Sequence, residues 1–145
     1  MKRTPEPMEE ALLNLYVASH LLKESSEKIC SKFGITTGQY NVLRILKGVY
    51  PEGHPRCEIA MRMIERSPDI TRLIDRLEKQ ELVERDRTDE DRRKSITKIT
   101  KKGLELINNI NPELEKLTKK MSGKLTIKEA LELSKYCEKL YADLV

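Results

Sequence analysis

Tryptophan is missing from this chain of 145 residues, and five Tyr and one Phe are its other large aromatics. The interior must therefore be filled by Leu, Ile and Met. Cysteine is also sparse. Cys30, Cys57 and Cys137 stand apart with no CxxC spacing, and only His20 and His54 could join them. That argues against a structural zinc site and fits a reducing cytoplasm. No apolar run approaches the roughly 18 residues of a membrane-spanning helix. Met1-Lys2-Arg3-Thr4-Pro5 is followed by no apolar stretch of the signal-peptide type. No nucleophile and base pair up, and no phosphate loop or metal cluster can be assembled, so neither an enzyme nor a cofactor is expected. The expectation is a cytoplasmic protein with no membrane partner.

Charge is what the chain has in abundance. Charged residues make up 36%, above the roughly one quarter of ordinary domains, which suits long solvated helices. The net charge of +4 permits nucleic-acid binding without requiring it. Its distribution says more: nine of the eleven arginines fall between Arg56 and Arg93. The length fits one domain, or one domain with arms. There are no internal repeats and no low-complexity segments.

Apolar spacing predicts six helices and a short hairpin. The first helix runs from Met8 to about Phe33, with Leu12, Leu15, Tyr16 and Leu22 on one stripe and Gly34 as its stop. Thr36 with Gln39 forms a capping box for a second helix to about Lys47, with Tyr40, Leu43 and Leu46 facing inward. Gly48 to Pro55 reads as a loop ending in an extended pair. A third helix spans about Arg56 to Ile64. After a turn at Glu65-Arg66, Ser67 is the candidate N-cap of a fourth, Pro68 takes its first position and Asp69 complements the dipole.

Residues from Leu82 to Arg87 and from Ser95 to Thr100 read as two strands around a charged tip. Thr100 caps a fifth helix carrying Ile107, Ile110, Leu114, Leu117 and Met121, which Pro112 should bend. Thr126 with Glu129 opens a last helix carrying Ala130, Leu133, Cys137, Leu140 and Leu144. The middle of the chain is too small to cover these stripes as well as that of the first helix. The two ends are therefore expected to pack on a second copy.

On a helical wheel of the fourth helix, Ile70, Leu73, Ile74 and Leu77 cluster as a core face. The opposite face carries Pro68, Arg72, Asp75 and Lys79, flanked by Thr71 and Arg76. Arg can grip guanine with two hydrogen bonds and a threonine methyl suits thymine, so this face can enter a major groove. Taken alone it is equally well an ordinary solvated helix face. The hairpin that follows shifts the reading, because its tip presents Asp91, Arg92, Arg93 and Lys94, and the negative minor groove attracts an inserted Arg. Asp91, two residues before Arg93, can hold that guanidinium in one orientation.

Three segments carry a family likeness: Thr36-Thr37-Gly38-Gln39-Tyr40-Asn41-Val42-Leu43, SPDITRLIDRLEKQELVER from Ser67, and DRRKSITKITKKG from Asp91. In residues, order and spacing the chain resembles the MarR family of winged-helix regulators over nearly its whole length. The resemblance implies a mainly α fold with a small antiparallel β wing. Residues 1–145 would form one protomer, with a winged helix-turn-helix core at about 36–100 and dimerisation helices at about 8–33 and 101–145. It implies an obligate homodimer, base- or phosphate-contacting roles for Ser67, Asp69, Thr71 and Arg72, and a wing pair of Asp91 and Arg93 with Arg93 in the minor groove. It also implies a small aromatic effector between dimer helices and winged domain, for which Tyr16, His20 and Tyr40 are candidates. Gln80-Glu81 departs from the family, which commonly has glycine there, so Glu81 is expected to take a left-handed conformation. Cys57, beside Arg56 at a helix start, is the thiol to watch for redox chemistry, while Cys137 is expected in the core.

Together these features point to a sequence-specific dimeric transcriptional regulator, a repressor, binding double-stranded DNA at a pseudo-palindrome. A sequence-tolerant architectural protein and a winged-helix protein-interaction module are the alternatives. Asp69 and Asp75 temper the reading face with negative charge, which argues against the first of these.

Overall fold

The computed structural model describes residues 6–65, 69–86 and 95–144. Helix α1 (Pro7–Lys32) begins with proline in its first turn and ends at Gly34, whose φ of +76° turns the chain. Helix α2 (Thr37–Lys47) opens with the expected capping box. Gln39 N–H donates to Thr36 Oγ1 at 3.1 Å and Thr36 N–H donates to Gln39 Oε1 at 2.9 Å. The extended pair β1 (His54–Pro55) leads into α3 (Arg56–Arg62), then α4 (Ile70–Lys79), β2 (Val83–Asp86), β3 (Ile96–Ile99), α5 (Lys101–Ser122) and α6 (Ile127–Tyr141). Thr100 caps α5 by accepting from Gly103 N–H at 3.0 Å, and Thr126 with Glu129 boxes α6. The three strands form one antiparallel sheet in the order β1-β3-β2.

The core lies where α2, α3, α4, the sheet and the first half of α5 meet. Val42, Leu43, Leu46, Ile59, Leu77, Ile107 and Ile110 are fully buried, with Ile74 and Val83 nearly so. Each such side chain contributes about 1.5–3 kcal/mol relative to exposure. Two cross-links tie α2 to α5: Tyr40 donates to Asn111 Oδ1 at 3.0 Å and Lys47 to Asn108 Oδ1 at 2.7 Å. The base of the hairpin is packed so tightly on α5 that a Cβ at Gly103 would lie 2.2 Å from the Leu82 carbonyl oxygen. Thr100 reinforces this joint, its N–H donating to Leu82 O at 3.1 Å and its hydroxyl to Glu81 O at 2.8 Å.

Several expectations need correction. The N-cap of α4 is Asp69, two residues later than read, and its carboxylate accepts from Arg72 N–H at 3.0 Å. That carboxylate stands at the positive end of the helix dipole, where negative charge is favoured. Cys137 is half-buried rather than core, because none of the described residues packs on α6 closely enough to bury any of its side chains. Leu144 lies past the end of α6. Glu81 is left-handed, with φ of 60°, as the missing glycine predicts. The apolar stripes of α1 and α6 stand open to solvent, Leu12, Tyr16, Leu22, Leu133 and Leu140 among them.

Candidate nucleic-acid interface

Helix α4 buries Ile74 and Leu77 and half-buries Ile70 and Leu73, which turns Thr71, Arg72, Arg76 and Lys79 outward. The cap organises the outer edge. Arg72 Nε lies 3.2 Å from Asp69 Oδ2, so the residue that starts the helix also restrains its first outward arginine. Arg56, at the start of α3, donates from Nη1 to Thr71 Oγ1 at 3.0 Å. That bond links the two helices of the helix-turn-helix across their exposed side, and no local pattern in the sequence signalled it. Ile64 N–H donates to Asn41 Oδ1 at 2.9 Å, so α2 holds the start of the turn from below. Ser67 and Pro68, expected at this surface, lie outside the described residues.

Asp75 does not share the outward role that the helical wheel suggested. Its carboxylate is engaged by Nη2 of Arg85 on β2, while Nη1 of the same guanidinium meets Glu78 Oε2 at 2.9 Å. The signal that could have found this is the spacing of Asp75 and Glu78, which puts two carboxylates on one helix edge with a single arginine in the following strand. Across the sheet Lys98 pairs with Asp86 at 3.1 Å. Lys102 pairs with Glu81 at 3.0 Å on the exposed surface. The pairing brings a carboxylate to the first turn of α5, where the dipole disfavours cations. Asp91, Arg92, Arg93 and Lys94 lie outside the described residues.

The three ligand candidates do not converge within the chain. Tyr16 and His20 stack on each other on the exposed face of α1, ring centroids 6.4 Å apart. Tyr40 instead lines an open cleft of about 430 Å³ between α2 and α5, with Arg44, Lys47, Asn111, Glu115 and Lys119 at its walls. Burial pushes the Tyr40 phenol above its ordinary pKa, so it stays a hydrogen-bond donor. Burial likewise pushes the Cys30 thiol up, which makes it inert, whereas Cys57 is exposed. Among the described residues no group of His, Cys, Asp and Glu is arranged to hold a metal ion, and no helix is long and apolar enough to cross a membrane.

A helix-turn-helix followed by a hairpin packed on its second helix defines a winged-helix protein. Residues 24–110 match the family model described as transcriptional regulator SarA/Rot. The chain is 32% identical over 111 residues to the HTH-type transcriptional regulator MhqR of Bacillus subtilis, covering 73% of this chain and 74% of that one. The crystal structure of a MarR transcription factor from Planctomyces limnophilus is 37% identical, with a TM-score of 0.73 over 94% of this chain and 98% of that one. The fold also matches the S. aureus MepR–DNA complex, at 20% identity and a TM-score of 0.78 over 90% and 94% of the two chains. This chain belongs to the MarR family of DNA-binding transcriptional regulators.

Proposed function

We propose that the protein is a homodimeric repressor that reads a pseudo-palindromic operator, with α4 in the major groove and the wing in the minor groove. The observation that carries this reading is the outward edge of α4. Thr71, Arg72 and Arg76 are all exposed on the side away from the core, with Thr71 and Arg72 at the N-terminal end that reaches base edges in proteins of this build. Arg72 and Thr71 are the base readers, and Asp69 orients Arg72. Arg76 reaches phosphate. Ser67 and Pro68 approach the backbone. Arg93, steadied by Asp91 and flanked by Arg92 and Lys94, enters the minor groove. The fold match to a MepR–DNA complex supports this docking. The open stripes of α1 and α6, including Tyr16 and His20, would be covered by a second copy, which sets two reading helices about one helical turn of DNA apart. The function lies in a cytoplasmic regulator without catalytic activity. Its effector would be a small anionic molecule received in the Tyr40 cleft, because three of the named cations and one carboxylate line it.

Selection of binding sites from a random duplex pool at physiological salt tests the reading. A recovered pseudo-palindrome supports it. Recovery of no motif, with affinity falling steeply as salt rises, would replace it with an architectural role. No binding at all would turn attention to protein contacts.

A further inference from the structure

Arg85 sits in the middle of β2, opposite Thr97 of β3, and its side chain is only 19% exposed. It turns its guanidinium across to α4, where one edge of the fork meets Asp75 and the other meets Glu78. Among the described residues these are the only ion pairs between β2 and α4. The two carboxylates are three residues apart and so lie on one edge of the helix. A planar guanidinium with five N–H groups can serve both at once; a lysine ammonium has no such spread.

The hairpin needs such a tie. It leaves α4 through Glu81, a left-handed residue, and is pinned at its base by Leu82 N–H donating to Leu77 O at 2.9 Å. Thr100 holds the same base from α5, and β1 pairs with β3 on the far side. Arg85, three residues beyond Leu82, ties the outer part of β2 to α4 itself. Arg85 also masks negative charge: the trio carries one positive and two negative groups, and without the arginine both carboxylates would stand uncompensated on a helix whose outer edge carries Arg72 and Arg76.

We propose that Arg85 is the positioning residue of the wing, which does not touch DNA but fixes the angle between hairpin and reading helix so that both engage one site together. This rests on the reading of α4 and the wing as the DNA-contacting surface.

The test compares Arg85→Met, Arg85→Lys and the milder Glu78→Gln, which removes one leg and secures an answer if Arg85→Met fails to fold. Amide exchange in the free protein is read first, then affinity for the selected duplex with and without Arg93→Ala. The expected result is that exchange in β2 and β3 speeds up by roughly tenfold while α2 and α5 stay protected. Affinity falls by roughly tenfold, and Arg93→Ala then costs less than half of what it costs in the parent, because a misdirected wing has little left to lose. Arg85→Lys keeps the charge and should recover only part of both effects. Unchanged exchange with a salt slope lower by about one unit would overturn the proposal, since Arg85 would then be a phosphate contact. So would additive losses with Arg93→Ala together with a uniform rise in exchange, which would make Arg85 a general stabiliser. If Arg93→Ala costs nothing in the parent, the wing reading itself fails, while the exchange data still decide whether Arg85 holds the hairpin.

Discussion

Ile107 and Leu133 are both aliphatic residues on a regular helical stripe, yet Ile107 is fully buried and Leu133 is 49% exposed. The difference is not in their own helices, which carry similar spacing and comparable caps. It lies in what surrounds them. Helix α5 enters a core already supplied by α2, α4 and the sheet, while α6 follows with no buried residue of its own among the described residues. Amphipathic spacing states that a face wants a partner; it does not say whether that partner is the same molecule. The winged core answers the demand internally. The terminal helices leave it open, which is why the second copy is proposed there.

The sharpest break in this comparison is to charge the open stripe. Leu133→Glu together with Leu140→Glu should convert the protein to monomer at micromolar concentration, weakening association by at least about a hundredfold, since a buried unpaired carboxylate is costly. Sedimentation would read this. A dimer that survives both changes would place the interface elsewhere. The converse break is inside the core. Gly103→Ala forces a methyl onto the Leu82 carbonyl and should cost about 2 kcal/mol in denaturant unfolding, with the dimer stripe untouched.

The thiols sharpen the comparison without altering stability. A thiol reagent should label exposed Cys57 at a rate independent of protein concentration. Cys137 should be labelled more slowly as concentration rises and its helix is covered. Cys30 should react only on unfolding, being buried and raised in pKa. Equal behaviour of Cys57 and Cys137 would mean that α6 stays uncovered in solution. The smallest effect is expected at the hairpin joint. Glu81→Gly relieves a left-handed side chain and should raise stability by about 0.5 kcal/mol, after the loss of the Lys102 pair and the looser unfolded chain are counted.

Local chemistry was legible in the sequence because its partners are close in the chain. Thr36 with Gln39, Thr100 with Gly103 and Thr126 with Glu129 each close over three residues, and all three caps form. The outward set of Thr71, Arg72 and Arg76 follows from helical period alone. The start of α4 did not, because Ser67 and Asp69 are both good caps two residues apart, and the choice falls to the surrounding fold. The Arg85 fork was hidden for a different reason. It joins a strand to a helix across a left-handed turn, so no single period brings the residues together, and its arginine looked like one more member of a basic surface. Asp75 was misplaced for the same reason: a helical wheel sees which way a side chain points, not what meets it.

Helix α5 belongs to both regions. It runs unbroken for 22 residues, about 33 Å at the usual rise. Its first turn is locked to the base of the hairpin through Thr100 and Gly103, its last buried residue is Ile110, and Pro112 stands just beyond. Its first half is fixed to the winged core, and its second half carries the same unbroken rod beyond it. The helix therefore acts as a ruler, setting the separation of the winged core from the terminal helices as a rigid length and not as a linker.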